Sequence, residues 1–151
     1  RDASPVMQAL SDAAATQAFG RQLALRLPAD SILLLAGDLG AGKTCLVQGL
    51  AAGLGIEEPI TSPTFALAQH YPLPKGGGLV HLDLYRLELP AAADELFAQE
   101  EEEARALGAL LAVEWPERLS SAPAGCWQIQ LSLSDPFNPE AGRLIEVRSP
   151  S

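Results

Sequence analysis

The sequence predicts an α/β fold in three layers, with a mixed central β-sheet flanked by helices. An apolar run over residues 32–36 precedes residues 37–44, which have the spacing G-x-x-x-x-G-K-T, and a helical pattern follows them. The run is apolar on both faces, as expected for a central strand that helices cover on both sides. With 151 residues and neither linker nor repeat, the chain predicts one P-loop NTPase-like domain over residues 1–151.

Composition limits the class of protein. The chain is 48% hydrophobic and 19% charged, which is typical of a folded domain rather than a disordered chain. Its net charge of −9 argues against direct high-affinity binding of nucleic acid, which needs clustered Lys and Arg. Two distant cysteines, Cys45 and Cys126, predict no disulfide framework. No membrane-length apolar run and no signal-peptide pattern are present, so a soluble cytoplasmic protein is expected.

The elements before the loop follow from periodicity. Ser11 is expected to cap a first helix, which ends before Pro28. Apolar residues recur at helical spacing and predict a face that packs on the sheet: Ala15, Phe19, Leu23 and Leu27. A strand over residues 31–36 then leads into the loop.

Residues 37–44 predict binding of a nucleoside triphosphate. Glycine lets backbone N–H groups approach the phosphates closely, and the start of the next helix favours an anion. Lys43 is expected to reach the β- and γ-phosphates, and the Thr44 hydroxyl to ligate Mg²⁺. A chance glycine turn is the alternative, which the flanking strand and helix disfavour. The candidate nucleotide-binding residues here are Asp38, Leu39, Gly40, Ala41, Gly42, Lys43, Thr44 and Cys45.

The helix after the loop is expected to end near Gly53 or Gly55. Its buried stripe is Val47, Leu50 and Leu54. Cys45 lies in its first turn, where the helix dipole can acidify a thiol. A small core-facing residue is the favoured interpretation, because free cysteines are usually buried.

A hydroxyl-rich segment, residues 61–64, leaves two interpretations open. It is either turn chemistry or a segment that senses the γ-phosphate. Alternation then predicts a β-hairpin, with strands over residues 65–73 and 79–85.

The second hairpin strand places His81, Asp83 and Tyr85 on one face. Asp83 leaves two interpretations open. It is an acid that acts near Mg²⁺ or near the attacking water, or it is a structural residue that pairs with Arg86 or caps a neighbouring element. His81 is expected to serve hydrogen bonding or packing rather than metal binding.

Residues 90–107 predict a helix with proline at its start. Its four consecutive glutamates, residues 100–103, favour a solvated face, with a surface for a basic partner as the alternative.

An apolar strand beginning at Ala109 ends in Glu114, which is the Walker-B pattern. Ligands of open α/β sheets lie beyond the carboxyl ends of the strands, so Glu114 is expected near Mg²⁺ rather than in a salt bridge or helix cap. Trp115 is either a core aromatic or a stacking surface. Residues 127–133 and 144–147 alternate in polarity and predict antiparallel strands at the sheet edge.

Four blocks, residues 37–44, 62–65, 81–86 and 113–117, resemble in this order the TsaE (YjeE) family, P-loop ATPases of bacterial tRNA threonylcarbamoyladenosine synthesis. The resemblance covers nearly the whole chain. It implies slow ATP hydrolysis that supports the TsaB–TsaD pair, which modifies adenosine 37 of tRNA. Any contact with tRNA would then be indirect, through these partners, and no membrane is involved.

The resemblance also implies roles for individual residues. Lys43 and Thr44 would hold phosphate and Mg²⁺, and Glu114 would be a second Mg²⁺ ligand. The family's adenine pocket corresponds to the region around residues 11–16 and to Gly142 with Arg143. Cys45 stands where a second Thr is common in the family. The residues expected to act in catalysis are Lys43, Asp83 and Glu114, with Trp115 and Arg143 at the nucleotide.

Partner dependence is expected because no arginine finger is evident near the loop; Arg86 and Arg118 are the nearest candidates. A small metabolite or nucleotide kinase is the alternative enzyme, but no arginine-rich lid is visible. A GTPase would need an Asn-Lys-x-Asp element, which is absent. A non-hydrolysing interaction module is the third alternative.

Overall fold

The computed structural model describes residues 5–38, 40–61 and 67–150, which form a seven-stranded sheet with helices on both faces. The three-layer α/β prediction is therefore confirmed. No helix in these ranges is long and apolar enough to cross a membrane. The strands are β1 Val6–Leu10, β2 Ile32–Ala36, β3 Ala68–Pro72, β4 Gly78–Asp83, β5 Leu110–Glu114, β6 Trp127–Leu133 and β7 Arg143–Arg148, and the helices are α1 Ala13–Arg26, α2 Lys43–Leu54 and α3 Pro90–Leu107.

The strand order, β1-β7-β6-β2-β5-β4-β3, places the chemistry at one edge of the sheet. Strands β2, β4, β5 and β6 run parallel to one another, so their carboxyl ends meet at the same edge. Glu114 lies in register with Leu35 of β2 and with Asp83 of β4. The loop after β2 and both carboxylates therefore come together.

Two apolar clusters cover the two faces of the sheet. Leu33 and Leu35 of β2 pack with α1 and α2, whereas Leu34 packs on the side of α3. The predicted two-faced burial of this strand is correct. Gly49 lets α1 and α2 approach closely, because a Cβ there would lie 2.2 Å from the carbonyl oxygen of Gln17. This contact holds the helix that follows the loop against the sheet.

Two expectations about the N-terminal region are corrected. Asp12, rather than Ser11, caps α1, since its Oδ1 accepts the N–H of Ala15 at 2.8 Å. Strand β1 was not expected. Its residues Val6 and Met7 are more than half exposed, so the segment has no buried face to give a period of two.

The expectation for the last strands is partly wrong. Strand β6 is interior: it pairs parallel with β2, where Leu33 is in register with Trp127, and antiparallel with β7. The edge strand on this side of the sheet is β1, which pairs antiparallel with β7, and β3 forms the opposite edge. Alternating polarity reports that one face of a strand is uncovered, but it does not identify the neighbours of that strand.

The hairpin of β3 and β4 is antiparallel as predicted, but its described strands are shorter. Residues 62–66, and with them most of the hydroxyl-rich segment, lie outside the described residues, and Tyr85 lies beyond the end of β4. Helix α2 ends at Gly55, whose φ of 90° is left-handed, as the pattern predicted.

The acidic run on α3 is not uniformly solvated. Glu100 is buried, and its Oε1 lies 2.6 Å from Nε2 of His70 on β3. Glu102 and Glu103 are exposed, as expected. The run therefore includes one residue that connects α3 to the edge strand.

Candidate nucleotide-binding site

The loop between β2 and α2 has the backbone that a phosphate site requires. Gly37, Gly40 and Gly42 have φ of 151°, 82° and 101°, which side-chain-bearing residues rarely adopt. At Gly37 a Cβ would also lie 2.6 Å from the carbonyl oxygen of Leu131. Gly42 has no side chain to cap α2, so the N–H groups of the first helical turn can serve an anion. Leu39, the remaining predicted position, lies outside the described residues.

Lys43, the first residue of α2, is almost completely buried. Its Nζ donates to the carbonyl oxygen of Gly37 at 2.6 Å and lies 4.2 Å from the ring centroid of Trp115. The ammonium group is thus held by the loop and by an aromatic face, an arrangement that favours a cation. The ammonium has three N–H groups, so a phosphate would share Lys43 with the carbonyl oxygen of Gly37.

Trp115 has an unusual backbone for a bulky residue, with φ of 60° in the left-handed region. This conformation directs the chain after β5 so that the indole stacks on Lys43 and, at 4.8 Å between centroids, on Tyr85. The guanidinium of Arg118 lies 5.7 Å from the Tyr85 ring centroid. Trp115 also packs against the apolar cluster on the α3 side, so it has features of both alternatives, a core aromatic and an aromatic surface beside Lys43.

Glu114 ends β5 and is 96% buried. Its Oε2 lies 2.6 Å from Nε2 of His81, which is completely buried on β4. Residues 110 and 112 of β5 pack on the side of α1 and α2, so alternation places Glu114 on the side of Lys43. His81 is a hydrogen-bonding residue, as the sequence predicted.

Asp83 is half-buried beside this pair, and its Oδ1 accepts the N–H of Tyr85 at 3.0 Å. Burial raises the pKa of Asp83 above its ordinary value. The N–H of Tyr85 opposes that shift, the charge of Glu114 adds to it, and the ammonium of Lys43 lowers the pKa. A raised pKa makes the Asp83 carboxylate a better proton acceptor than an ordinary aspartate.

Arg143, at the start of β7, is directed at the loop. Its Nε donates to the carbonyl oxygen of Ala41 at 3.2 Å, and its Nη2 to that of Gly40 at 3.1 Å. Its Nη1 donates to the carbonyl oxygen of Pro139 at 2.6 Å. One side chain therefore ties the phosphate loop to the C-terminal strands, a contact over about a hundred positions that no local pattern could predict.

A cavity of about 300 Å³ opens beside the loop. It brings together the two regions in which the family resemblance implied an adenine pocket. Cys45 is half-buried at this cavity rather than facing the core. The lining residues are Ser11, Asp12, Ala13, Thr16, Gly42, Cys45, Pro139, Glu140, Gly142 and Arg143.

A larger cavity, about 550 Å³, lies on the opposite face of the sheet, beyond the edge of α3. Leu34, Gln128 and Gln130 form its floor and residues 116–122 contribute its wall. It is lined by none of the loop residues, and its charged residues are Glu117, Glu146 and Arg148. The smaller cavity, which adjoins Gly42, is the better candidate for a nucleotide.

The donor groups suit a magnesium-bound triphosphate. Mg²⁺ prefers oxygen ligands, and Thr44, Asp83 and Glu114 supply a hydroxyl and two carboxylates at this edge of the sheet. Lys43 and the start of α2 supply positive charge for phosphate. The site therefore has the chemistry that the implied metal and nucleotide require.

Three comparisons with known proteins agree. The family model described as "Threonylcarbamoyl adenosine biosynthesis protein TsaE" matches residues 10–139. A "tRNA threonylcarbamoyladenosine biosynthesis protein TsaE" from Synechocystis sp. is 51% identical over 76% of this chain and 73% of that protein. A protein of the same name from Nostoc sp. is 41% identical over 91% and 82%. The crystal structure of Bacillus subtilis YdiB covers all of this chain and 89% of its own, with 26% identity and a TM-score of 0.70.

Proposed function

The chain belongs to the TsaE family of threonylcarbamoyladenosine biosynthesis proteins, and on that premise we propose that it is the ATP-binding accessory protein of this tRNA modification. It would bind ATP with Mg²⁺ and hydrolyse it slowly. The observation that carries the proposal is the placement of residues 37, 38 and 40–44 after the end of β2, whose Leu35 is in register with Glu114 at the end of β5. A phosphate loop and a buried carboxylate on adjacent strands are the combination that nucleotide hydrolysis requires.

Each residue of the site has a role in this proposal. The loop, the start of α2 and Lys43 bind the phosphates, and the cavity lined by Thr16 and Gly142 takes the nucleoside. Thr44 and Glu114 hold Mg²⁺, which supplies charge neutralisation at the phosphates. Asp83, with its raised pKa, orients the attacking water and accepts its proton.

The contacts of Lys43 support a low rate for the isolated protein. Its ammonium is engaged by the carbonyl oxygen of Gly37 and the ring of Trp115. Arg118 packs against Tyr85 and Trp115 rather than standing alone as a catalytic cation. We propose that TsaB and TsaD complete the site, and that tRNA is contacted through them, since the chain carries a net charge of −9.

The decisive experiment measures ATP hydrolysis by the purified chain alone, with the TsaB–TsaD pair, and with the pair plus tRNA. We expect slow turnover alone and stimulation by the pair. The formation of threonylcarbamoyladenosine on tRNA is measured in the same mixtures. A rate near 10 s⁻¹ for the isolated protein, which is about the median for enzymes, would contradict the dependence on partners.

A further inference from the structure

We propose that His81 is a positioning residue, which holds one oxygen of the Glu114 carboxylate and leaves the other for Mg²⁺. The proposal rests on the proposed function, because that function places Glu114 at the metal. It adds a residue for which neither the motif pattern nor the family resemblance implied a role at the nucleotide. His81 does not touch the nucleotide; it acts through Glu114.

The contact joins two neighbouring parallel strands. His81 of β4 is in register with Ala112 of β5, two residues before Glu114, so the pair lies diagonally across the strands. The distance from Nε2 to Oε2 is 2.6 Å, and the exposed fractions of the two side chains are 0% and 5%. Because both residues lie in strands rather than loops, the backbone fixes the direction of the contact.

The chemistry of the two groups determines which atom carries the shared hydrogen. A carboxylate can only accept, so Nε2 of His81 donates and Oε2 of Glu114 accepts. The hydrogen bond restrains rotation of the carboxylate about its last torsion and occupies one of its oxygens. A metal ligand is oriented in the same way by the partners behind it in many sites, and removing such a partner costs about 10- to 100-fold in metal affinity.

Packing alone does not explain an imidazole at this position. Leu79, two residues earlier on the same face of β4, is apolar and fully buried. Nδ1 of His81 has no hydrogen-bond partner among the residues that the structure describes. An unpaired buried polar atom costs about 1–3 kcal/mol. Such a cost is typical of functional sites, where local stability is exchanged for a required geometry.

The first experiment measures how strongly Mg²⁺ enhances ATP binding, as the ratio of the dissociation constants in EDTA and in Mg²⁺ by calorimetry. His81→Met removes the donor with an apolar side chain of similar size, whereas His81→Gln retains an N–H. We expect the ratio to fall about 10- to 100-fold in His81→Met and to recover partly in His81→Gln. The affinity in EDTA should be unchanged.

The chain offers a matched control. His70 makes the same contact with Glu100, at 2.6 Å, but on the edge strand β3 and helix α3. His70→Met removes the same chemistry away from the loop and should retain the wild-type ratio. An unchanged ratio in folded His81→Met overturns the proposal about His81. In that case ATP binding by the wild type would still support the proposed function. Absence of ATP binding in the wild type refutes both.

A second experiment observes the unmodified chain, so it does not depend on the folding of a His81 variant. The protein has two histidines, so ¹⁵N labelling of histidine in untagged protein gives two pairs of imidazole nitrogen signals, which His70→Gln assigns. With ADP and Mn²⁺ in place of Mg²⁺, the His81 signals should broaden and those of His70 should stay sharp. Sharp His81 signals, or a proton on Nδ1 instead of Nε2 in the metal-free protein, would overturn the proposal.

Discussion

Two imidazole–carboxylate pairs lie on this sheet, each with 2.6 Å between Nε2 and a carboxylate oxygen. His81 and Glu114 join neighbouring strands at the carboxyl edge, beside the phosphate loop. His70 and Glu100 join the edge strand to α3. The His81 side chain is completely buried, whereas 37% of the His70 side chain is exposed.

The two pairs have the same N–O distance, so the distance within a polar pair does not identify its role. What separates the two pairs is their position in the topology and their access to water. The carboxyl edge of the parallel strands collects ligands, so a carboxylate there is available for chemistry. The other pair lies away from this edge, and its imidazole is partly exposed although Glu100 is as buried as Glu114, so we expect its contribution to be structural.

The largest effect is expected from substitution of Lys43, which tests whether the nucleotide binds at the carboxyl edge beside His81 and Glu114. Lys43→Ala should weaken ATP binding by about 2–5 kcal/mol, because a buried charge-assisted contact is lost. The other lysine of the chain, Lys75, is exposed in the β3–β4 turn, so Lys75→Ala is the control and should change binding by less than about 0.5 kcal/mol. Calorimetric titration with Mg²⁺·ATP measures both affinities. Equal losses of affinity in the two variants would show that Lys43 has no special role in ATP binding.

The two glutamates come next. Glu114→Gln should lower kcat for ATP hydrolysis by about 100-fold or more, with a smaller change in ATP affinity, since it removes a carboxylate at the metal. Glu100→Gln should keep kcat within about twofold of the wild type. Both are measured in the presence of TsaB and TsaD, where turnover is expected to be fastest. Normal turnover of Glu114→Gln would refute its assignment as a metal ligand.

The two histidines should differ in stability as well as in function. His81→Met should lower the free energy of unfolding by about 3 kcal/mol, because it leaves the Glu114 carboxylate buried without its partner. His70→Met should cost less, about 1–2 kcal/mol, because the imidazole of His70 is 37% exposed, although it too leaves a buried carboxylate, that of Glu100. Urea unfolding in EDTA measures the difference without metal or nucleotide. Equal losses in the free energy of unfolding would show that the different exposure of the two imidazoles does not affect stability.

The smallest effect concerns Asp83, next to the buried pair. Its pKa is raised in the folded state by burial, so the folded chain binds this proton more tightly than the unfolded chain. The stability that this provides is fully present below the ordinary pKa of 3.8 and is lost as the pH rises through the folded value.

Asn cannot titrate, so Asp83→Asn should gain stability relative to the wild type as the pH rises from about 4 to 7, by less than about 1 kcal/mol. Urea unfolding across that range in metal-free buffer measures it. A relative stability of Asp83→Asn that falls with rising pH would contradict the raised pKa. Glu140→Gln, an exposed change, is a suitable control.

Much of the fold followed from local patterns. Local patterns predicted that α2 ends near Gly53 or Gly55 and that α3 covers residues 90–107, and the structure agrees, with Gly55 as the cap of α2. Exposed segments carry no such signal, which is why β1 was not expected. Glu100 was misassigned for the converse reason, because its partner His70 is thirty residues away and a run of like charges usually faces water.

The residues of the proposed nucleotide chemistry could be predicted from the sequence: the loop at 37–44 and Glu114, with Asp83 as an acid or as a capping residue. Their residue types, spacing and positions at strand ends are local properties, and local properties can be read along the chain. Three contacts could be found only in the tertiary structure. His81 hydrogen-bonds to Glu114, Trp115 packs over the ammonium of Lys43, and Arg143 donates to the backbone of the loop. These contacts depend on which strands become neighbours, and the packing of the whole sheet determines that order.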